Sequence, residues 1–293
     1  MTPVVELKDL VVRYPRVEAV RGLSLVVEPG RCHALFGRNG AGKTSALRAL
    51  LGLLRAEAGQ VRLFGLDPAR HEAEVKARLA WVPDAPGFHP WMTVQEVLAY
   101  EAALRPRWEP TLEAHLLARF ELDREAKAGE LSKGQKTQLA LVRAIASDPE
   151  LLVLDEPTSG LDPLVRRQFL EAVIGVFQER EPQKKAILVS THLISEFEGV
   201  VDGFTVMSGG RAVLTSSADD ARARFCRLRA WFDAEPPREV PWKTVRPLTQ
   251  QGRMLEAVVD AGADEARGWL TTHGATRVDA SALSLEDIFL LAA

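Results

Sequence analysis

Gly37-Arg38-Asn39-Gly40-Ala41-Gly42-Lys43-Thr44 is the stretch on which the reading of this chain turns. It fits the pattern GxxxxGK[ST]. The apolar run Cys32-His33-Ala34-Leu35-Phe36 before it reads as a strand. After it, Ala46, Leu47, Leu50, Leu51 and Leu54 recur at helical spacing, which predicts a helix over about 43–54. Glycines let backbone N–H groups close around phosphate oxygens, and a helix N-terminus adds positive potential there. Lys43 is then within reach of the outer phosphates, and the Thr44 hydroxyl is a Mg²⁺ ligand.

A second element answers the first. Leu151-Leu152-Val153-Leu154 has no alternation, as expected of a parallel strand buried on both faces, and it ends in Asp155-Glu156. Such a pair beside a phosphate loop supplies a carboxylate for the metal, Asp155, and a general base for water, Glu156. A third element, Leu131-Ser132-Lys133-Gly134-Gln135, opens a predicted helix over about 135–146, with Ser132 and Gln135 spaced as a capping box.

Around these motifs the pattern is α/β. Short strands are expected before residue 36, then at 58–65 and 79–83. Residues 94–122 read as helical with a proline-marked break near Arg105-Pro106, followed by a helix over 164–179 and a strand over 186–190. Composition changes after Leu214. The segment 216–229 is rich in Ala and Arg, and 235–247 holds four prolines and reads as a linker. The tail then offers a strand at 254–259, a helix at 264–273, a short strand at 276–280 and a last helix at 285–291. The expected organisation is a domain over 1–215, with a helical subdomain at about 85–147, and a small α+β domain over 216–293.

The bulk numbers mainly exclude. A net charge of −3 over 293 residues gives no general attraction to nucleic acid or anionic lipid. The cluster Arg222, Arg224, Arg227 and Arg229 reads as a solvated helix face rather than a nucleic-acid contact. Two cysteines without metal spacing point to no disulfide or metal framework, and no secretory leader is expected at Met1–Leu10. No apolar run approaches the roughly 20 residues needed to span a bilayer.

Taken together and in order, the motifs resemble those of the nucleotide-binding subunits of ABC transporters. The resemblance covers about the first 215 residues. In it, Tyr14 stands where the family stacks a ring on adenine, residues 37–44 with Ser45 match the Walker A loop, and 131–135 the signature. Residues 151–156 match the Walker B strand, Ser159-Gly160-Leu161-Asp162 the D-loop, and His192 after Ile187-Leu188-Val189-Ser190 the switch histidine.

What the resemblance implies is a P-loop NTPase of the ABC ATPase fold, with a mixed sheet core, an antiparallel β subdomain and a helical subdomain. It implies ATP and Mg²⁺, ATP hydrolysis, and a second cassette paired head to tail, so that Ser132, Lys133, Gly134 and Gln135 of one copy face the ATP of the other. His192 would contact the γ-phosphate.

Two positions depart from the pattern. Lys133 replaces a glycine of the usual signature, and Asp84 stands where the family commonly has Gln, leaving it as a metal contact or as a loop residue. The stretch from Leu79 to Leu98 and the ending Leu283-Ser284-Leu285-Glu286-Asp287-Ile288-Phe289 resemble subunits that serve ABC-2-type exporters. Such a subunit would sit on the cytoplasmic face of the cell membrane against a separate transmembrane permease, with Pro83–Trp91 as the candidate docking loop. The rival reading is an ATP-gated clamp in DNA repair or cluster assembly; no long coiled-coil insertion separates the Walker motifs to favour it. A P-loop kinase or GTPase switch lacks a signature and a switch histidine.

Overall fold

Alternating apolar residues from Val5 onward build two long antiparallel strands. In the computed structural model, which describes residues 2–179, 183–242 and 244–292, these are β1 (Val5–Tyr14) and β2 (Val17–Val27), with Val5, Leu7, Leu10 and Val12 turned inward. The turn signals at Tyr14-Pro15 and Pro29-Gly30 end them. β3 (Cys32–Gly37) follows, buried at every position, and leads through the glycine loop into helix α1 (Lys43–Leu50). That helix is shorter than its apolar spacing predicts. Gly52, at φ 72, takes the left-handed position past its end, and Leu53 N–H donates to Arg48 O at 2.9 Å, so the chain turns away before Leu54.

β4 (Ala58–Leu63) returns to β1, giving a three-stranded antiparallel sheet in the order β2-β1-β4. Helix α2 (Glu72–Arg78) is absent from the sequence expectations. It buries only Val75, so its periodic signal is faint, and what marks it is charge: Glu72 and Glu74 in the first turn, Lys76 and Arg78 in the last. β5 (Leu79–Val82) is followed by three helices that carry the expected helical region: α3 (Val94–Leu104), α4 (Pro110–Arg119) and α5 (Lys133–Ala146). The break between the first two spans Arg105-Pro106, and Pro110 starts α4 at the position where its missing N–H costs nothing. Capping boxes begin α3 at Thr93/Glu96 and α5 at Ser132/Gln135.

β6 (Leu151–Asp155), α6 (Pro163–Glu179) and β7 (Ala186–Thr191) continue the alternation. A short helix, α7 (Ile194–Phe197), leads to the hairpin β8 (Gly203–Ser208) and β9 (Arg211–Ser217), turned by Gly209-Gly210 with both φ positive. The central sheet has six strands in the order β5-β6-β7-β3-β8-β9, and β5 through β8 pair in parallel. This is the mixed-sheet P-loop ATPase architecture, with the antiparallel sheet and the three-helix region as its additions. Helical crossovers cover the parallel strands, which explains why β3, β6 and β7 bury every residue.

The chain divides into two compact units: Met1–Leu193 with Gly203–Thr215, and Ile194–Asp202 with Ser216–Ala293. In the second, α8 (Ala218–Arg224) precedes β10 (Phe225–Phe232), β11 (Thr249–Gln251), β12 (Met254–Asp260), α9 (Ala263–Thr272), β13 (Ala275–Ala282) and α10 (Leu285–Ala292). Its antiparallel sheet runs β11-β12-β10-β13, and Leu228, Ala230, Phe232, Leu255 and Val259 form a core with Ala266 and Leu270 of α9. Lys243, within the proline-rich stretch, lies outside the described residues.

The arginine cluster is not a helix face. Arg222 and Arg224 lie on α8, but Arg227 and Arg229 lie on β10, whose alternation turns Leu228 and Ala230 inward. These arginines are also engaged: Arg224 with Asp260, Arg227 with Asp287, Arg229 with Glu256, and Arg222 on the carbonyl of Glu198.

Candidate active site

The parallel strands bring their C-terminal ends to one edge, the usual place for a ligand in an α/β sheet. Register makes this concrete. Phe36 pairs with Thr191, Asp155 with Ser190, and Val82 with Leu154. The glycine loop, Asp155-Glu156, His192 and the Asp84 loop therefore emerge side by side. Glu156, His192 and Asp84 line a cavity of about 590 Å³ together with Tyr14, Asn39 to Ser45, Ser159 and Gly209-Gly210, while Asp155 is buried beside it.

The loop at the floor of this cavity is shaped by close approach. Gly42 sits at φ 104, and a Cβ there would come within 2.2 Å of the Ala19 carbonyl oxygen. At Gly37 a Cβ would meet the Met207 carbonyl at 2.8 Å. Lys43 is buried and donates to Gly37 O at 2.7 Å and Arg38 O at 3.3 Å, so its side chain curls back over the loop.

Across from it stands Glu156. One carboxylate oxygen lies 2.9 Å from Lys43 Nζ, the other 2.7 Å from His192 Nδ1 and 3.2 Å from the His192 backbone N–H. An ionised carboxylate only accepts, so the ring nitrogen is the donor in that contact. Glu156 itself adopts φ 47, a left-handed conformation that costs a non-glycine residue about 1–3 kcal/mol and gathers at functional sites. Its N–H is held on Ser190 O at 2.8 Å. Sequence reading missed this strain, because the proline after Glu156 favours extended backbone there and signals no positive φ.

Asp155 accepts from Thr44 Oγ1 at 3.2 Å and Ser190 Oγ at 3.0 Å. Burial raises its pKa above the ordinary carboxylate range; the two hydroxyls oppose this, and the charges of Glu156 and Asp84 reinforce it. A buried, electrostatically disfavoured carboxylate with a hydroxyl at its side is a hard-oxygen donor set of the kind that suits Mg²⁺. Asp84 is more than half exposed at the rim. Tyr14 is about one-third exposed, with its hydroxyl 3.3 Å from Ser45 Oγ.

Ser132, Lys133, Gly134 and Gln135 do not line this cavity. Ser132 and Gln135 cap α5 reciprocally, at 3.2 and 2.9 Å. Lys133 Nζ donates to Ser159 O at 2.9 Å.

A phosphate-binding loop opposed by a carboxylate pair and a histidine at the edge of a parallel sheet defines a P-loop nucleoside triphosphatase. The family model described as "ABC transporter" matches residues 20–159. A Nod factor export ATP-binding protein I of Burkholderia orbicola is 36% identical over 217 residues, covering 71% of this chain and 69% of that protein. The bacitracin transport ATP-binding protein BcrA of Bacillus licheniformis is 31% identical over 226 residues, 76% of this chain and 73% of the relative. A solved structure of an ATP-binding subunit of an ABC transporter superposes with a TM-score of 0.68 at 29% identity, over 75% of this chain and 92% of that one. The chain belongs to the ABC transporter ATP-binding proteins, and it is an ATPase whose hydrolysis is coupled to transport.

Proposed function

We propose that this chain is the ATP-hydrolysing subunit of an exporter, working on a separately encoded membrane protein from the cytoplasmic face of the cell membrane. The observation that carries the reading is the linked set Lys43–Glu156–His192 beside Thr44–Asp155, within hydrogen-bonding distance at every step. The relative named for Nod factor export supports the direction of transport, and the one named for bacitracin transport supports the transport role.

In this reading the N–H groups of residues 37–45 and the Lys43 ammonium bind and orient the phosphates, and Tyr14 supports the base. Thr44 and Asp155 would hold Mg²⁺, with Asp84 as a further contact; bound there, the metal supplies charge neutralisation of the phosphates. Glu156 accepts the proton of the attacking water. His192, fixed by its hydrogen bond to Glu156, orients that water and the γ-phosphate. Two copies pair head to tail, each offering Ser132, Lys133, Gly134 and Gln135 to the nucleotide of the other.

Docking is supported by the Pro83–Trp91 loop, where Trp91 is 69% exposed with His89 stacked on it at 4.7 Å. A separate groove of about 720 Å³ is lined in part by Leu51, Leu53, Trp81 and Leu104, and Arg143, which also lines it, lies over the Phe88 ring of the loop at 5.5 Å. No helix among the described residues is long and apolar enough to cross a membrane.

The test is a pull-down from native membranes with the Glu156→Gln protein and ATP. A polytopic membrane protein retained with ATP and released without it is the expected result. Recovery of soluble partners alone would favour the clamp reading.

A further inference from the structure

The two departures from the family pattern face one another. Lys133 Nζ, besides its 2.9 Å hydrogen bond to Ser159 O, lies 4.0 Å from Asp84 Oδ1. Ser159 and Asp84 both line the phosphate cavity, whereas Lys133 stands outside the lining. No side chain intervenes on the D-loop, because Gly160 follows at φ 71, and a Cβ there would already be 3.2 Å from the same ammonium. A glycine at position 133 makes neither contact.

Helix stability does not explain the lysine. It occupies the first residue of α5, where a cation opposes the helix dipole. Its compensation comes from the carbonyl and the carboxylate it reaches, and both belong to loops of the same protomer.

We propose that Lys133, besides the role in the paired copies given above, is a positioning residue within its own protomer, bracing the loop after β6 and the loop after β5 at the rim of the ATP cavity. Through this one side chain, the seating of nucleotide in the cavity is coupled to the placement of the signature helix. The inference rests on the assignment of that cavity as the ATP site. Both ends of the Lys133–Asp84 pair are about half exposed, at 54% and 55%, so the brace is a bias that can be broken rather than a lock.

The test uses the full chain, dilute enough to remain monomeric, and a fluorescent ATP analogue without Mg²⁺, which keeps metal contacts out of the measurement. Lys133→Met should weaken binding by about two- to fivefold, the range expected for an exposed ion pair. Lys133→Arg should restore it, and the loss should be smaller in an Asp84→Asn background. An equal loss in both backgrounds overturns the proposal. So does a loss seen only at concentrations where the protein dimerises, because that places the contact of Lys133 across the interface. Lys43→Ala separates the two levels of the argument. If it still binds the analogue, the site assignment itself fails; if it does not, an equal loss in both backgrounds removes the brace alone.

Discussion

Replacing Glu156 with Gln tests the centre of the site, because the free protein already uses that carboxylate. Its two oxygens serve Lys43 and His192 at 2.9 and 2.7 Å, and the side chains of Lys43 and Glu156 are only 5% and 12% exposed. A glutamine amide has one acceptor oxygen, so one of the two contacts is lost. Breaking a buried ion pair outright costs about 3–5 kcal/mol. Here Lys43 keeps the Gly37 carbonyl at 2.7 Å, so the loss expected is closer to that of one charged hydrogen bond, about 1–3 kcal/mol. At about 2–4 °C per kcal/mol for a chain of somewhat smaller size, the free variant should melt several degrees lower.

ATP should reverse the order. Its phosphates give Lys43 an anionic partner that no longer competes with a resident carboxylate, so the rise in melting temperature on adding ATP should exceed that of the original protein. Phosphate release should fall by about 10²–10⁴, the usual contribution of a general base. Thermal melting with and without ATP, beside a phosphate-release assay, reads all three quantities. Undiminished turnover, or an ATP-induced shift no larger than that of the original protein, refutes the reasoning.

Gly42→Ala places a Cβ 2.2 Å from a backbone carbonyl at φ 104, and ATP affinity measured by calorimetry should drop about tenfold or more with the circular dichroism retained. Asp155→Asn keeps an oxygen for Thr44 and Ser190 while removing a charge that burial disfavours; the free protein should melt at a higher temperature and show no Mg²⁺-dependent hydrolysis. His33, buried on β3 and hydrogen-bonded to Thr205, has its pKa lowered by burial from 6.5 to about 4. The unfolded chain therefore takes up the proton first. Stability is full above pH 6.5, lower by about 2 kcal/mol at pH 5, and flat again below 4; His33→Gln should remove that slope from urea midpoints. Truncation after Thr215 should lower solubility and melting temperature, because Ile194 and Phe197, at 2% and 1% exposure, lie in a unit whose remaining elements, α10 packed on α7 among them, would be gone. A soluble, fully active fragment is the contrary result.

The parts of the fold that were legible in the sequence are those where the chain repeats one physical demand over several residues. The buried parallel strands β3, β6 and β7 show it as unbroken apolar runs, and α5 shows it as helical spacing behind a capping box. The glycine loop was legible because its backbone needs glycine where side chains would collide. Elements with a weaker demand were missed. Helix α2 buries one residue, and the alternation of β10 is masked by arginines that read as a helix face because their partners Asp260, Glu256 and Asp287 lie far away in sequence. The end of α1 was overestimated because periodicity continued to Leu54 past Gly52. Motifs named the residues of the site, but they carry no information on which of those residues are bonded to each other.

That pairing gives the free site its character. Lys43 is held by Glu156, Glu156 by His192, Asp155 by Thr44 and Ser190, and Lys133 by Ser159. At Lys43 the entry of a polyanion is an exchange of partners, Glu156 for phosphate, whereas the loop N–H groups add contacts. The exchange limits what Lys43 adds to net affinity, since its phosphate contact replaces a resident one. It also ties binding to neighbouring elements, since Lys43 opens α1, Glu156 follows β6 and His192 follows β7. Glu156 adds a store of backbone strain to the same hub. An ATPase that drives a separate membrane protein needs this property, because tight binding to a site already in its final geometry would leave nothing to transmit.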